Sequence, residues 1–499
     1  MVAAVDKLPS GLDPHVNVAW EVLEMLSNVY DTIVYMDLDG KIVPGLATSW
    51  DISSDGLTYT FHLRKDVKFH DGTPFNADAV KFSLDRMVAP ETKSQSASTL
   101  ISGYASADVV DDYTVKVTLK EPNAYLLQGM SMTYVAMVSP TAVKKYGTDY
   151  QNHQVGTGPF MMSDSVPNQS VTMKPNPDYN WGPSFFGHQG RAYLEELTWK
   201  YLPDPPTRMP ALEAGDVDLA LDVPASDAAK LKTSNQFALM ISRLTGQPLY
   251  WELNITKAPT DDLKVRQAIV YAVDRKAVVD TVFMGLYTPA YGPLSAVTPE
   301  YDKSVESMYQ YDPDKAKSLL AEAGWKDTNS DGILEKDGQP LTLSMVIQSW
   351  GYIQPCAEIV QAQLKKVGID AKTEMLTYPG QMAAGAKGDH NMTVMGGSGF
   401  FAFDSLSGFF KSTNADGGFN WSKIKDKNLD ALLDQGMRTT DAAQRNQIYA
   451  KAQEFIMQQA LILPIYDYYL LSAVNKKVKD VKWSKIGLTP YLYDAYVAS

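Results

Sequence analysis

Residues 341–375 limit the architecture of this chain more than any other stretch. Residues 341–347, apolar at Leu341, Leu343, Met345, Val346 and Ile347, are of strand length. Over 352–367, Cys356, Ile359, Val360, Leu364 and Val367 recur at helical spacing, and the pattern stops at Gly368. Residues 369–375 then alternate between apolar and polar. A strand, a helix and a strand in that order predict a parallel pair, because parallel neighbours need a crossover of this length.

Other segments are as regular. Leu57, Tyr59, Phe61 and Leu63 alternate with Thr58, Thr60, His62 and Arg64, which predicts a strand with one buried face. Asp55-Gly56 and Asp71-Gly72 bracket it as turns. Val22, Leu23, Leu26, Val29, Tyr30, Ile33 and Val34 predict one helix face across 20–34. Asn76 is placed to cap a helix carrying Val80, Leu84, Met87 and Val88 on one side. Residues 109–119 alternate around Asp111-Asp112 as a hairpin, and 181–190 read as a loop rich in glycine, proline and aromatics. A short strand over 216–221 is expected after the turn at Gly215. Asp262 and Asp274 are expected to cap two consecutive helices. Asp312-Pro313 opens another that Gly324 closes, and Asp441 caps one running to about 459. Residues 461–471 return as an extended aromatic segment.

At 499 residues the chain is too long for one compact core. Its 45% hydrophobic and 21% charged content is ordinary for a globular protein. The longest apolar candidate, 461–474, is broken by Pro464 and Asp467 and falls short of the roughly 18–20 residues of a membrane helix. A net charge of −13 without a basic patch argues against nucleic acid as a partner. The single Cys356 rules out an internal disulfide and reads as a buried structural thiol. Residues 1–6 lack the basic and apolar regions of a signal peptide, so the expected form is a mature chain with an added start methionine.

No catalytic constellation stands out. Ser398 in Gly396-Gly397-Ser398-Gly399 lacks the second glycine of a nucleophile elbow. Gly156 and Gly158 lead into Pro159 rather than a phosphate-cradling helix. There is no HExxH, no P-loop and no histidine cluster. Asp327, Asn329 and Asp331, with Gly332 at the sixth position, open like a calcium loop, but the twelfth residue is Gly338. Glu335 and Asp337 are the substitutes at hand, and a plain polar hairpin turn is the other reading.

The order Ser49-Trp50, Asp55-Gly56, Tyr59-x-Phe61-x-Leu63-Arg64, Asp66-Val67-x-Phe69-x-Asp71-Gly72 resembles the signature of the bacterial extracellular solute-binding proteins of the peptide and nickel transport family. Members of that family feed ligands to ABC importers. Three further segments are similar to the family in order and spacing: Gly156-Thr157-Gly158-Pro159-Phe160; Val265-Arg266-Gln267-Ala268 with Asp274-Arg275; and Asp312-Pro313-x-Lys315-Ala316 leading to Ala323-Gly324-Trp325. The resemblance covers most of the chain. It implies an α/β, two-lobed, periplasmic-binding-protein-like fold with a ligand cleft between the lobes and an extra subdomain in the first. Lobe I would hold 1–247 with an inserted subdomain at about 48–155, lobe II 248–469, and 470–499 would return to lobe I. The two crossings would be the hinge.

The resemblance also points to a site. In peptide-binding members a glycine-led segment carries a tryptophan and then an aspartate that pairs with the peptide ammonium, as a buried cation requires. Here the matching segment is Met395-Gly396-Gly397-Ser398-Gly399-Phe400-Phe401-Ala402-Phe403-Asp404. Aligned without gaps, Ser398 takes the tryptophan slot and Phe401 the aspartate slot, while Asp404 matches a later acidic position. A phenylalanine cannot neutralise an ammonium, so an ordinary free peptide amino terminus does not fit. Phe400, Phe401 and Phe403 would stack on a ring or sugar face of the ligand, or else form the core of a packed loop. His15, Trp20, Tyr134, Trp350, Tyr378 and Trp421, on predicted loops, complete the candidate ligand contacts.

The implied function is that of an extracytoplasmic substrate-binding protein of an ABC importer. It would be a monomer, periplasmic or extracellular, lipid-anchored or free, that closes by hinge motion on a peptide, modified peptide, opine or oligosaccharide and delivers it to a membrane permease. No cofactor is expected beyond calcium at the 327–338 loop. Two alternatives stand beside this: a secreted hydrolase using two carboxylates about 5–10 Å apart, and a ligand-loaded partner of a membrane sensor.

Overall fold

A computed structural model describes residues 1–6, 11–17, 21–397, 399–483 and 490–498. They fall into two compact units, Met1–Ser242 with Leu470–Ser499, and Arg243–Tyr469. Among the described residues, no helix is long and apolar enough to cross a membrane.

In the first unit, Val2–Val5 lies inside a seven-stranded sheet and pairs in parallel with both Leu197–Tyr201 and Leu219–Ala220. Its small and branched side chains, Ala3, Ala4 and Val5, are fully buried, which suits a strand covered on both faces. Tyr469–Asn475 pairs antiparallel with Leu219–Ala220, so the C-terminal return is built into this sheet. Residues 47–119 add a separate four-stranded antiparallel sheet. There Tyr59, Phe61 and Leu63 are buried while Thr58, Thr60 and His62 stay half exposed, as the alternation predicts. The helix Ala77–Val88 begins at Asn76, whose side chain accepts from the Ala79 N–H at 3.1 Å.

The expected helix across 20–34 is much shorter, Glu21–Leu26. Asn28 ends it, donating its amide to the Glu24 carbonyl at 3.0 Å and the Met25 carbonyl at 3.3 Å. Val29, Tyr30 and Ile33 are buried as predicted but lie in turn and extended backbone, and Val34 opens the strand Val34–Met36. Apolar spacing reported burial here, not conformation. The expected strand at 216–221 is likewise only Leu219–Ala220.

Segment 28–30 is held by the Gly156-Thr157-Gly158 run. The Gly158 N–H donates to the Val29 carbonyl and the Phe160 N–H to the Asn28 carbonyl, both at 2.9 Å. A Cβ on Gly156 would collide with the Val29 carbonyl oxygen, and one on Gly158 would lie 2.6 Å from the Val29 carbonyl carbon. Both obstacles are backbone fixed by those hydrogen bonds. Gly158→Ala is therefore expected to lower stability by about 1–3 kcal/mol in urea titration. Gly408→Ala, inside the helix Ala402–Phe410 and with nothing within 4 Å of its Cβ, serves as the control and is expected to raise stability by about 0.5–1 kcal/mol. Equal midpoints for the two variants would refute the close-approach argument.

The second unit is built on a five-stranded sheet whose strands we designate in chain order: β1 Leu249–Leu253, β2 Thr342–Gln348, β3 Asp370–Leu376, β4 Met392–Met395 and β5 Ile462–Tyr466. The spatial order is β3-β2-β4-β1-β5. β2 is parallel to both β3 and β4, while β1 runs antiparallel to β4 and β5. Helices α1 (Ile353–Lys365) and α2 (Tyr378–Lys387) make the crossovers, and α3 (Ala402–Phe410) follows β4. The β-α-β reading of 341–375 thus becomes the β2–α1–β3 unit. The predicted caps Asp262, Asp274, Asp312 and Asp441 each accept from a backbone N–H at the start of their helices, at 2.8–3.0 Å.

Candidate functional site

The order of the second sheet creates the site. From the carboxyl end of β2 the chain leaves through α1 toward β3 on one side. From the carboxyl end of its parallel neighbour β4 it leaves toward β5 on the other. Adjacent parallel strands whose connections depart in opposite directions leave a crevice at their carboxyl ends, where open α/β sheets bind ligands. A cavity of about 170 Å³ lies there. All five strands reach it with the same end of the sheet. Gln348 and Trp350 follow from β2, Tyr378 from β3, Met395 and Gly396 from β4; Leu249 begins β1 and Tyr468 lies just beyond β5.

Local sequence explains how these residues are held. Gly396 and Gly397 have φ of +151° and +69°, and a Cβ on Gly396 would lie 2.5 Å from the Pro248 carbonyl oxygen. The chain can therefore turn out of β4 against β1 only with glycine. Tyr378 is the first residue of α2, which Thr377 caps by accepting from the Gly380 N–H at 3.3 Å. Gln381, one turn on, is buried and donates to the Val394 carbonyl at 2.6 Å, fastening α2 to β4. Trp350 and Tyr468 lie with ring centres 5.8 Å apart.

The chemistry of the cavity is aromatic and uncharged. Trp350, Tyr378 and Phe419 remain 44%, 58% and 37% exposed at its rim. Among the described residues, no acidic or basic side chain lines it. Burial pushes the Tyr468 phenol far above its usual range, so it stays neutral. Acids close in sequence are committed elsewhere. Asp404 accepts from the Phe400 and Phe401 N–H groups at 3.0 and 2.9 Å as it starts α3, and burial brings its carboxyl up to about 6. Asp467 accepts from the Arg243 Nε at 2.9 Å and from the Ala296 N–H at 3.3 Å.

Of the candidate residues, the structure brings Trp350 and Tyr378 to this cavity, with Gly396 from the glycine-led segment. Phe401 and Phe403 are buried and stacked at 6.2 Å, and Phe400 is half exposed beside them. Trp421 is wholly buried over α2, where its indole N–H donates to the Gly418 carbonyl and its ring occupies the space a Cβ on Gly385 would need. His15 is bound inside the first unit. Its Nε2 donates to the Ala136 carbonyl at 2.8 Å, and its Nδ1 faces Arg86 Nη1 at 2.8 Å while Arg86 also holds Asp13. Burial and Arg86 bring its pKa down to about 4. Tyr134 is buried in the same unit, in the short turn Thr133–Val135. Trp20 and Ser398 lie outside the described residues.

Sequence reasoning missed Gln348, Gln381, Phe409, Phe419 and Tyr468. Gln381 carried a usable signal, as a polar residue with no surface role at the start of a helix.

At the 327–338 loop, Asp327, Asp331 and Glu335 bring carboxylate oxygens within 4.8 Å of one another. Asn329 instead receives the Asp331 N–H at 2.8 Å and donates to its carboxylate at 3.1 Å. Asp337 and Gly338, with φ of +51° and +74°, form the turn of the hairpin Glu335–Lys336 with Gln339–Pro340. That turn accounts for glycine at the twelfth position.

The chain is similar to known proteins over most of its length. The family model described as "Bacterial extracellular solute-binding proteins, family 5 Middle" matches residues 41–418. The glutathione-binding protein GsiB of Escherichia coli O1:K1 / APEC is 33% identical over 489 residues, covering 96% of this chain and 91% of that one. NikA from Brucella suis, solved in complex with Fe(III)-EDTA, superposes with a TM-score of 0.88 at 27% identity, covering 100% of this chain and 99% of its own. DppA from Helicobacter pylori, solved with the peptide STSA, gives 0.81 at 27%, covering 100% and 98%. A family match over most of the chain and a relative 33% identical over 96% of it lead to one assignment: the chain belongs to the bacterial extracellular solute-binding proteins of family 5.

Proposed function

We propose that the chain captures one small solute outside the cytoplasm and releases it, unchanged, to an ABC permease. The second unit's switch-point cavity contributes to the binding site. The observation that carries this is the cavity itself: concave, mostly apolar, fed by all five strands and, among the described residues, lined by no acid–base pair, as suits holding rather than cutting. The relatives support the solute class in general terms. GsiB is named for glutathione, and DppA is solved with a peptide. A peptide, modified peptide or opine is the favoured ligand here, and an oligosaccharide the next. Capture involves hinge closure, and a monomer is sufficient for it.

The test is a thermal-shift screen with dipeptides, glutathione, opines and oligosaccharides, followed by mass analysis of the recovered solute. A ligand at about 100 times its Kd adds about 2.7 kcal/mol and raises Tm by a few degrees. Stoichiometric binding with the solute recovered intact supports the proposal, and turnover overturns it in favour of a hydrolase. Calcium, with Asp327, Asp331 and Glu335 as its oxygens, is one arm of the same screen.

A further inference from the structure

The cavity at the carboxyl ends of β2 and β4 restricts what can enter it. Its volume is the first restriction. A site that engulfs a whole drug-sized solute takes roughly 300–1,000 Å³, whereas this cavity holds about 170 Å³. That is close to the roughly 150 Å³ of an apolar cavity that accepts benzene. It has room for one ring, not for a ligand.

Charge is the second restriction. An ammonium or carboxylate placed here would be buried without a partner, because none of the described residues that line it has an acidic or basic side chain. Asp404 and Asp467 do not supply one, since Asp404 is turned to the Phe400 and Phe401 N–H groups of its own segment and Asp467 to Arg243 and the Ala296 N–H. Hydrogen bonding is the third. A sugar ring brings a hydroxyl on most of its carbons, and each hydroxyl buried without a partner is penalised. The lining side chains offer two carboxamides, Gln348 and Gln381, of which the Gln381 amide group already donates to the Val394 carbonyl, and two phenols, Tyr378 at the exposed rim and Tyr468 with its hydroxyl buried, too few to satisfy a hydroxyl on most carbons of a sugar ring. The rim of Trp350, Tyr378 and Phe419 instead offers faces and edges against which a flat ring packs.

We propose that this cavity is a subsite for a single uncharged aromatic ring, so that the solute is a small molecule carrying such a ring, with its charged groups held outside the cavity. The inference rests on the solute-binding reading of the same site and names the class of solute it selects. Trp350 and Tyr378 determine that specificity. Both lie at the exposed rim, so removing either ring leaves the core intact.

The experiment uses the full chain and three fluorinated probes, 4-fluorobenzamide, 4-fluorobenzoate and 4-fluorobenzylammonium, with affinity read by 19F NMR. The neutral amide is expected to bind at least tenfold more tightly than either charged probe. Trp350→Ala and Tyr378→Ala are each expected to weaken it at least fivefold. Tyr311→Ala, which removes an exposed ring that does not line the cavity, is expected to leave it unchanged. Equal binding of charged and neutral probes, or indifference to both rim variants, overturns the subsite. A solute screen without a single hit counts against transport but does not alter the probe result. Tight binding of ring-free solutes that ignores Trp350→Ala sinks the subsite alone.

Discussion

Replacing Asp31 with alanine is expected to destabilise the chain by about 3–5 kcal/mol. This carboxylate is fully buried in the first unit and faces four donors. Tyr35 donates to Oδ1 at 2.5 Å and Tyr179 at 3.2 Å; Thr157 donates to Oδ2 at 2.8 Å and the Trp181 indole at 2.9 Å. Burial outweighs these bonds and holds the carboxyl above its ordinary range. The four donors nonetheless join three distant segments, 31–35, 157 and 179–181. Alanine would leave them buried without their acceptor, at about 1–3 kcal/mol each if nothing rearranged. The sum is not additive, because Trp181 also reaches the Thr157 carbonyl at 3.1 Å and the hydroxyls can rotate. Asp31→Asn separates the contributions. Its carboxamide oxygen can face Thr157 and Trp181, whose indole N–H cannot turn away, while its NH₂ faces two tyrosine hydroxyls able to accept. A loss of only about 1–2 kcal/mol is expected for asparagine, read by urea titration with near-ultraviolet circular dichroism reporting on Trp181. Equal losses for the two variants would show that burial, not the donor arrangement, sets the effect.

Features of this kind divide what a sequence reveals from what it conceals. The strand at 57–63, the β2–α1–β3 unit and the aspartate caps are local, and each is written within one turn or one alternation. Asp31 is a single acidic letter whose partners lie up to 150 positions away. The cavity is harder still. It depends on β4 settling beside β2 on the side opposite β3, a choice that no periodicity within 341–395 encodes. Trp350 and Tyr378 could be proposed because exposed aromatics follow predicted strands. Tyr468 and Phe419 join them only once the sheet order is known. The phenylalanines of 400–403 leave two readings open for a related reason. Sequence cannot tell whether such a cluster faces a ligand or packs inside, and here Phe401 and Phe403 are buried.

Glu252 is expected to give the chain a stability that falls with rising pH, opposite to the usual carboxylate. It lies on β1, fully buried, and accepts from the Ser422 N–H at 2.7 Å. Burial pushes its pKa up to about 8 against the opposing backbone hydrogen bonds and Lys423. Between its unfolded value of 4.5 and about 8, the native chain holds a proton that the unfolded chain has released. Stability must then decline by about 1.4 kcal/mol per pH unit across that window. His15, His70 and His390, each brought down to about 4 by burial, act the other way below pH 6.5, because the unfolded chain binds their protons first. The wild-type profile alone therefore mixes both trends, and Glu252→Gln isolates one. The variant is neutral at every pH, so it should match the wild type near pH 4.5. At pH 7 it should be the more stable by about 3 kcal/mol, with the gap levelling off above pH 8. Urea titrations of both proteins from pH 4.5 to 9 measure the difference directly. Parallel curves would mean that Glu252 is ionised in the native chain and that Lys423 and the 421–422 backbone stabilise its charge more than burial opposes it.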